Sequence, residues 1–379
     1  MPIPLVHSLR NSLSTSRRFF FLGEESDLNL GYIALPFITG SISSISYRPF
    51  NQNLLVFNNV DNKAVVVGVD DFKIFNSINN LPEPVKPTIY FPESSIILFK
   101  GNGGIDSDGL YGIDRNDNLV TINEIADDLI LSVDDLIYSI TDRSVYILDT
   151  SKSVVHKLYD DLSIDFDFIS LIESINELSD VSFSDNDNTL YISDSGNNTI
   201  QYISNLSFPS KGRIDLSPLK PRGVAWSPKE ELLYTSDLIS SQLKVYSWNS
   251  QNLIDVTNSV PDYNGTIVKL GYNSIKREVY TITVDSINNT NSLAFINTDS
   301  SNNISVTGQI YSPFDGSIPL EEVEEENFFF LSFDNKIRKY RIYQNIDKEV
   351  RIGTNSDLLD PLKFSGEEGL IATNSLTAT

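Results

Sequence analysis

The chain has 379 residues and a formal net charge of −23, and 40% of its residues are hydrophobic, which is enough to build a folded core. This acidity opposes binding to nucleic acid or insertion at an anionic membrane surface, because both need clustered Lys and Arg. The absence of Cys excludes disulfides and thiolate metal sites, and His7 and His156 alone cannot form a His-rich metal site.

The N-terminal segment differs in charge from the rest of the chain. Residues 1–23 contain Arg10, Arg17 and Arg18 and no acidic residue, so we predict a basic arm over residues 1–16. A mitochondrial presequence is the alternative interpretation. The apolar cluster at 19–22 is too short for a secretory signal, and no stretch reaches the roughly 18 apolar residues of a membrane span. Localisation stays open, with a virion or the cytoplasm favoured.

A repeated pattern follows the arm. Short strand-like runs with alternating apolar and polar residues are separated by clusters of Asn, Asp and Gly, which favour tight turns. The pattern recurs about every 40 to 50 residues, the length of one four-stranded propeller blade. First strands are predicted to begin near Ser43, Pro87, Asp128, Leu178, Pro221, Thr266, Ser317 and Asp360.

Further strands are expected after each start. Second strands are predicted at 53–59, 95–100, 136–141, 189–193, 232–236, 278–285, 327–334 and 369–373. Third strands are predicted at 64–69, 110–114, 144–149, 199–204, 242–248, 292–297 and 336–343. The apolar residues of 160–178 fit a helical face only loosely, so this segment is expected to be a short helix or an outer loop. The connections at 288–303 and 313–326 are expected to be long loops.

The last repeat has only two strands. Residues 17–23, RRFFFLG, resemble the third strand at 337–343, and residues 30–36 read as a fourth strand. We therefore predict an all-β fold with one propeller of eight blades over residues 17–379, its closing blade formed by 17–36 and 360–379. The similarity of 363–375 to 225–238 supports this count. Seven blades are the alternative.

One stretch identifies the type of repeat. Residues 191–203, YISDSGNNTIQYI, resemble the NHL-type propeller repeat, and residues 223–237 resemble the same superfamily, which includes YVTN-like propellers. The resemblance implies a β-propeller over most of the chain. It implies no single activity, because propellers host hydrolases, lyases, receptors and scaffolds.

Few motifs in the sequence have the pattern of a chemical site. Asp114, Asn116 and Asn118 have the oxygen spacing of a calcium loop, but they lack its Gly and its final acid, which favours a hairpin turn. In the related calcium-dependent lactonases, acids on inner strands converge on an ion, and Asp128 and Asp180 are the weak candidates for such a site, with Arg222 nearby. No cofactor is predicted, with calcium as the alternative. His156 is expected on a fourth, outermost strand.

The acidic run at Glu321, Glu322, Glu324, Glu325 and Glu326 precedes a very apolar strand. Such a run keeps an aggregation-prone strand soluble, and it is also a candidate to bind a basic partner. One such partner is the basic arm of a neighbouring copy of the chain, which carries Arg10, Arg17 and Arg18.

The sequence favours a non-enzymatic propeller that acts as a structural or protein–protein interaction subunit of a larger assembly. A phage virion or tail protein suits the acidic, Cys-free composition. Two alternatives remain: a calcium-dependent lactonase or esterase, and a carbohydrate- or peptide-binding receptor module.

Overall fold

The computed structural model describes residues 29–34, 42–69, 73–102, 108–124, 132–184, 188–206, 209–247, 252–254, 266–273, 277–285, 290–298, 304–312, 321–325, 328–333 and 336–341. These residues form antiparallel sheets of four strands each, and a short 3₁₀ turn covers Pro49–Asn51. No helix in this part of the chain has the length and apolar character of a membrane span.

Strands are numbered along the chain from β1 (Asn29–Ala34). The first sheet contains β2 (Ser44–Arg48), β3 (Asn53–Asn58), β4 (Lys63–Gly68) and β5 (Ile74–Ile78). The second contains β6 (Glu83–Phe91), β7 (Ile96–Asn102), β8 (Asp108–Ile113) and β9 (Leu119–Glu124). The third contains β10 (Asp135–Ser139), β11 (Ser144–Asp149), β12 (Val154–Leu158) and β13 (Ile164–Ser170).

The fourth sheet contains β14 (Leu178–Ser184), β15 (Thr189–Asp194), β16 (Thr199–Ser204) and β17 (Ser210–Asp215). The fifth contains β18 (Pro221–Ser227), β19 (Leu232–Asp237), β20 (Leu243–Ser247) and β21 (Asn252–Ile254). The sixth contains β22 (Thr266–Asn273), β23 (Glu278–Asp285), β24 (Thr290–Thr298) and β25 (Ile304–Ser312). The seventh contains β26 (Glu321–Glu325), β27 (Phe328–Phe333), β28 (Lys336–Arg341) and β1.

Burial differs between strand positions within a sheet. Second strands such as β3, β11, β15 and β19 are buried at every residue, whereas the fourth strands β5, β13 and β17 are largely exposed or half-buried. A second strand is covered on both faces by neighbouring sheets, which explains why these strands carry continuous apolar runs. Aromatic contacts join the sheets, with Phe57 and Phe99 5.2 Å apart between ring centroids and Tyr191 and Trp226 5.7 Å apart.

First strands of neighbouring sheets contact one another and surround a central channel. Contacts join β2 to β6, β6 to β10, β14 to β18, and β18 to β22. The contact between β26 and β2 brings the seventh sheet beside the first. One hydrophobic cluster confirms this junction, because Ile45 of the first sheet packs with Phe330 and Ile337 of the seventh. The prediction of a single all-β propeller is therefore confirmed.

The ring closes with a strand taken from the N-terminal part of the chain. β1 pairs with β28, with Tyr32 opposite Arg338 and Ile33 opposite Ile337. We expected residues 30–36 to join 360–379 in an eighth blade, whereas they complete the seventh sheet. The described residues thus match the seven-blade alternative. The predicted strands at 17–23 and 360–373 and the basic arm lie outside the described residues, so that part of the domain division stays a prediction.

The third sheet differs from the sequence prediction by one strand. Its first strand is β10, not the run beginning at Asp128, and β13 replaces the expected helix or loop after residue 160. The apolar residues Ile164, Phe166 and Phe168 alternate with Asp165 and Asp167, which is the period of a strand. Within the long connection expected at 288–303, residues 290–298 form the third strand predicted at 292–297, and β26 lies within the connection expected at 313–326.

Candidate functional site

Four charged residues lie on the first strands of four different sheets. They are Lys86 on β6, Asp135 on β10, Asp180 on β14 and Lys269 on β22. The second and sixth sheets are not neighbours in the ring, yet Lys86 and Lys269 both act electrostatically on Asp135. The central channel is where residues of these sheets come together. We call these four residues the channel cluster.

Asp180 connects three sheets. Its Oδ1 lies 3.0 Å from Lys269 Nζ, and its Oδ2 accepts a hydrogen bond of 2.9 Å from the backbone N–H of Val224. Asp180 belongs to the fourth sheet, Val224 to the fifth and Lys269 to the sixth, so the lysine side chain extends past the fifth sheet to reach its partner. The Asp180 side chain is nearly buried, whereas the Lys269 side chain is partly exposed.

The local structure of β18 makes this connection feasible. β18 is a first strand, so one of its edges has no neighbouring strand and its N–H groups on that edge need other acceptors. A register shift between Pro221 and Gly223 marks a bulge just before Val224. A Cβ at Gly223 would lie 3.2 Å from Leu270 of the sixth sheet, so the glycine allows the two strands to approach closely.

Asp135 is the titratable group most affected by this environment. Burial raises its pKa to about 6, against the lowering effects of the Leu136 amide and of Lys269. The Asp180 carboxylate also raises the pKa, and Lys86 lowers it. Asp135 Oδ1 accepts a 2.8 Å hydrogen bond from the N–H of Leu136, and the residue as a whole is half-buried. The channel therefore holds a carboxylate that titrates close to neutral pH.

Of the residues proposed for calcium, Asp180 lies within the described structure. Both oxygens of Asp180 are engaged, one by an ammonium group and one by an amide, and Asp128 lies outside the described residues. Within the part of the chain that the structure describes, no group of three or more His, Cys, Asp or Glu has the arrangement of a metal site.

Most of the acidic run lies on the first strand of the seventh sheet. Glu321, Glu322, Glu324 and Glu325 belong to β26, the first strand of the seventh sheet, so their backbone forms part of the channel wall rather than an outer loop. Arg222 lies on β18, another first strand, as the sequence predicted. Arg10, Arg17, Arg18 and Glu326 lie outside the described residues, and the binding roles of all these residues stay predictions.

The aspartates of the repeat motif accept hydrogen bonds from backbone amides of nearby loops and turns. Asp194 ends β15 and accepts hydrogen bonds from the amides of Asn176, Glu177 and Gly196, and thereby holds the loop that enters the fourth sheet against the following turn. Asp237 makes the same kind of contact with the amide of Lys220. Asp114 accepts bonds from the amides of Asn116 and Asn118, as expected for a hairpin turn.

His156 lies away from the channel. It sits on β12, the third strand of its sheet rather than the predicted fourth, because the sheet begins one strand later than expected. The residue is buried, and its Nδ1 accepts a 2.9 Å hydrogen bond from the N–H of Asp167. Its Nε2 lies 3.5 Å from Asp149 Oδ2. This geometry assigns the proton to Nε2 and makes His156 a packing residue.

A second surface was not found from the sequence. We define the hairpin face as the end of the propeller that carries the turns between first and second strands and between third and fourth strands. Phe50, Phe75 and Leu119 are 74%, 59% and 41% exposed on this face, in the adjacent first and second sheets. Exposed Ile140 continues the series in the third sheet. We call these four residues the apolar run.

The apolar run is held by a buried ion pair. Arg48 donates from Nη1 to Asp117 Oδ1 at 2.7 Å and from Nε to Asn53 Oδ1 at 2.9 Å. Asn76 donates to Asp117 Oδ2 at 2.7 Å. Because Arg48, Asn76 and Asp117 are close in sequence to Phe50, Phe75 and Leu119, this network holds the segments that carry the three apolar side chains near one another on the hairpin face.

Comparison with known proteins agrees with the architecture. No known family profile and no curated protein sequence matches the chain. Virginiamycin B lyase from Staphylococcus aureus matches in structure with 13% sequence identity and a TM-score of 0.59, covering 83% of this chain and 99% of the lyase. A streptogramin B lyase gives 12% identity and a TM-score of 0.57, covering 83% and 97%.

A chain of the mitotic checkpoint complex matches as well. It has 13% identity and a TM-score of 0.60, and the match covers 83% of this chain and 96% of that one. The fold is a β-propeller. At these identities the likeness extends to the fold alone, because enzymes and parts of protein complexes share it.

Proposed function

We propose that this protein is a non-enzymatic β-propeller of the NHL-like type that acts as an interaction subunit of a larger assembly. A virion or phage tail remains the proposed setting, on the composition alone. The observation that carries the proposal is the apolar run on the hairpin face. Large apolar side chains grouped on one face of a protein are typical of interaction sites.

The apolar run has the properties of a docking site. Phe50 and Phe75 present large side chains, and aromatic anchors contribute strongly to binding energy at interfaces. The Arg48–Asp117 pair positions them on two sheets of a rigid ring. Little side-chain and loop ordering is then needed on binding, which favours affinity.

The charge of the chain indicates the kind of partner. At a formal charge of −23, two copies repel each other, whereas a basic segment is attracted. We therefore propose that the apolar run binds a partner segment with apolar anchors and flanking Lys or Arg residues. Binding is expected to weaken as the salt concentration rises, because rim charges are screened.

The test compares two faces of the same molecule. Phe50→Ser and Phe75→Ser remove anchors from the hairpin face, and Ile239→Ser is the matched control because Ile239 is 73% exposed at a turn on the opposite face. The tagged variants are isolated from the native source with mild cross-linking, and co-isolated proteins are quantified. We expect a stoichiometric partner with the unmodified chain and with Ile239→Ser, and its loss with the other two variants.

Two outcomes would contradict this proposal. One is a partner retained equally by all variants, which would place the contact elsewhere. The other is isolation of a solitary monomer under conditions where the assembly is intact.

A channel-centred hydrolase is the second candidate. The observation that favours it is Asp135, whose pKa of about 6 suits a general base at neutral pH. A panel of lactones and esters assayed with the unmodified protein and with Asp135→Asn tests it. Hydrolysis that disappears with Asp135→Asn would support the enzyme and oppose the non-enzymatic proposal.

A further inference from the structure

The N-terminal segment of the chain enters the propeller at the hairpin face. β1 is the fourth strand of the seventh sheet and begins where its third strand, β28, ends, with Asn29 opposite Tyr340. That end of the sheet is the hairpin face. The seventh sheet is also the neighbour of the first sheet, which carries Phe50 and Phe75. Residues 1–28 therefore join the ring on the same face as the apolar run and beside its first sheet.

The residues just before this entry point have the composition expected of a partner for the apolar run. Residues 17–22 read RRFFFL, three Phe and one Leu directly after two Arg. We call them the anchor segment. Each of the seven described sheets has four strands without the anchor segment, since β1 already closes the ring. The chain thus contains, beyond its described sheets, a segment with apolar anchors and flanking basic residues.

The anchor segment is near enough along the chain to reach the apolar run. Residues 23–28 separate it from β1, and an extended chain from Leu22 to Asn29 spans about 24 Å. Sheets packed face to face lie about 10 Å apart, so this length covers the step from the seventh sheet to the first. A short tether also gives an effective concentration of about millimolar, which favours the segment of the same chain over that of a second copy.

The charge of the anchor segment fits this face. Residues 1–23 contain three Arg and no acid, in a chain of formal charge −23, and the acids at 24–27 belong to the tether. The described turns on the hairpin face of the first three sheets carry six acids and four bases: Glu93, Asp114, Asp117, Asp142, Asp160 and Asp161, against Arg48, Lys73, Arg115 and Arg143. Arg17 and Arg18 are therefore attracted to this face.

We propose that the anchor segment binds the apolar run of its own chain. Its Phe residues pack on Phe50 and Phe75, and its two Arg lie toward the acidic turns. The inference rests on the proposed function of the apolar run as a docking site, and it adds the regulation of that site. An external partner with the same pattern has to displace the anchor segment, so only a partner that competes successfully gains access.

The test measures how fast a maleimide reacts with single cysteines in the full chain. The chain has no Cys, so Asn51→Cys places one thiol in the exposed turn beside Phe50. Adding Phe19→Ser/Phe20→Ser/Phe21→Ser is expected to raise the reaction rate at least about fivefold, because the tethered segment then no longer covers the thiol. A synthetic peptide of residues 15–23 should slow the reaction of this variant again.

Two matched controls accompany this comparison. Ile239→Cys places the thiol at an exposed turn on the opposite face, and its rate should not depend on the anchor segment. Ile3→Ser/Leu5→Ser/Val6→Ser removes three apolar residues from the same arm but outside the anchor segment. It should leave the rate at Asn51→Cys unchanged. Thermal melting of every variant establishes that β1 still closes the ring.

Protein concentration identifies which chain supplies the segment. Protection of Asn51→Cys that stays constant over an about hundredfold range of concentration supports binding within one chain. Protection that rises with concentration, together with dimers in sedimentation, would assign the segment to a second copy and overturn the proposal. Equal rates with and without the three Phe residues would also overturn it, as would an equal effect of the Ile3, Leu5 and Val6 substitutions.

Failure of this inference is distinguishable from failure of the proposed function. Equal maleimide rates, combined with loss of the external partner in Phe50→Ser, would reject the anchor segment as occupant and keep the docking site. Protection by the anchor segment, combined with an external partner that Phe50→Ser retains, would keep the intramolecular contact and reject the docking site.

Discussion

Two Arg–carboxylate pairs in this chain allow the effect of burial on an ion pair to be separated from the effect of its contact distance. The first is Arg48 with Asp117. The chain has a second Arg–carboxylate pair with the same 2.7 Å contact, Arg213 with Glu173. The Arg48 side chain is 3% exposed, whereas that of Arg213 is 47% exposed. Substituting each arginine by Met removes the charge and retains most of the aliphatic length. The two variants therefore compare the same interaction at a buried and at a solvent-exposed arginine.

The expected magnitudes follow from what each change leaves behind. Arg48→Met leaves Asp117 without its cation, although the carboxylate is partly exposed and keeps its bond from Asn76, so we expect a cost of about 3 kcal/mol. Arg213→Met should cost less than about 1 kcal/mol, as is typical of exposed pairs. Asp117→Ala should cost more than Arg48→Met, about 4 kcal/mol, because Arg48 then stays buried without a counter-ion.

The assay is urea unfolding of the full chain followed by tryptophan fluorescence, with the free-energy change taken from the shift in midpoint at constant slope. The double variant Arg48→Met/Asp117→Ala should cost less than Asp117→Ala alone, since the second change removes the unpaired charge. Equal costs for Arg48→Met and Arg213→Met would refute the argument from burial. So would a double variant whose cost is the sum of the two single costs.

Three other predictions concern the channel, the ring closure and a lysine beside aromatic rings. Because burial raises the pKa of Asp135 to about 6, above its unfolded value, the unmodified protein should lose stability as the pH rises from about 4 to about 6. Asp135→Asn should lack this loss and be more stable by about 1 to 2 kcal/mol at pH 7.5, with equal stability at pH 4, as urea unfolding at both pH values would show. Deletion of residues 1–36 removes β1 and should lower the melting temperature of the whole protein, whereas deletion of 1–16 should not; identical melting of both truncations would contradict the observed closure. Lys157 Nζ lies 5.2 to 5.5 Å from the centroids of three aromatic rings, so Lys157→Gln should cost about 1 to 2 kcal/mol in urea unfolding, against no change for exposed Lys211→Gln.

Much of the fold could be predicted from local sequence. The fourth sheet matches closely, because its turns are rich in Asp, Asn and Gly and its strands alternate clearly, as in β15 and β16. The third sheet was placed one strand too early, because the apolar run that begins at Asp128 resembles a first strand, whereas the first strand is β10. The number of blades could not be derived this way, since strand composition does not say which distant strand completes a sheet. The pairing of Ile33 with Ile337 depends on closure of the whole ring.

The candidate site was only partly foreseen. Asp180 was singled out, but its partner Lys269 lies 89 residues away on a non-adjacent sheet, and no local pattern connects the two. A signal did exist: Lys86 and Lys269 are single lysines within first strands that are otherwise mostly apolar. A charge at such a position indicates a residue that faces a channel rather than a core. The apolar run was missed because exposure of individual Phe residues depends on packing.

The pairing of β1 with β28 also has a consequence for synthesis. The N-terminal strand of the seventh sheet emerges from the ribosome about 300 residues before its partner, which corresponds to about 15 to 60 s at ordinary translation rates. During that interval β1 has no strand to pair with, while the intervening sheets are already able to form. The nascent chain is therefore an open arc with an unpaired strand at its leading end, and chaperone binding or pairing with a neighbouring nascent chain would compete at that stage.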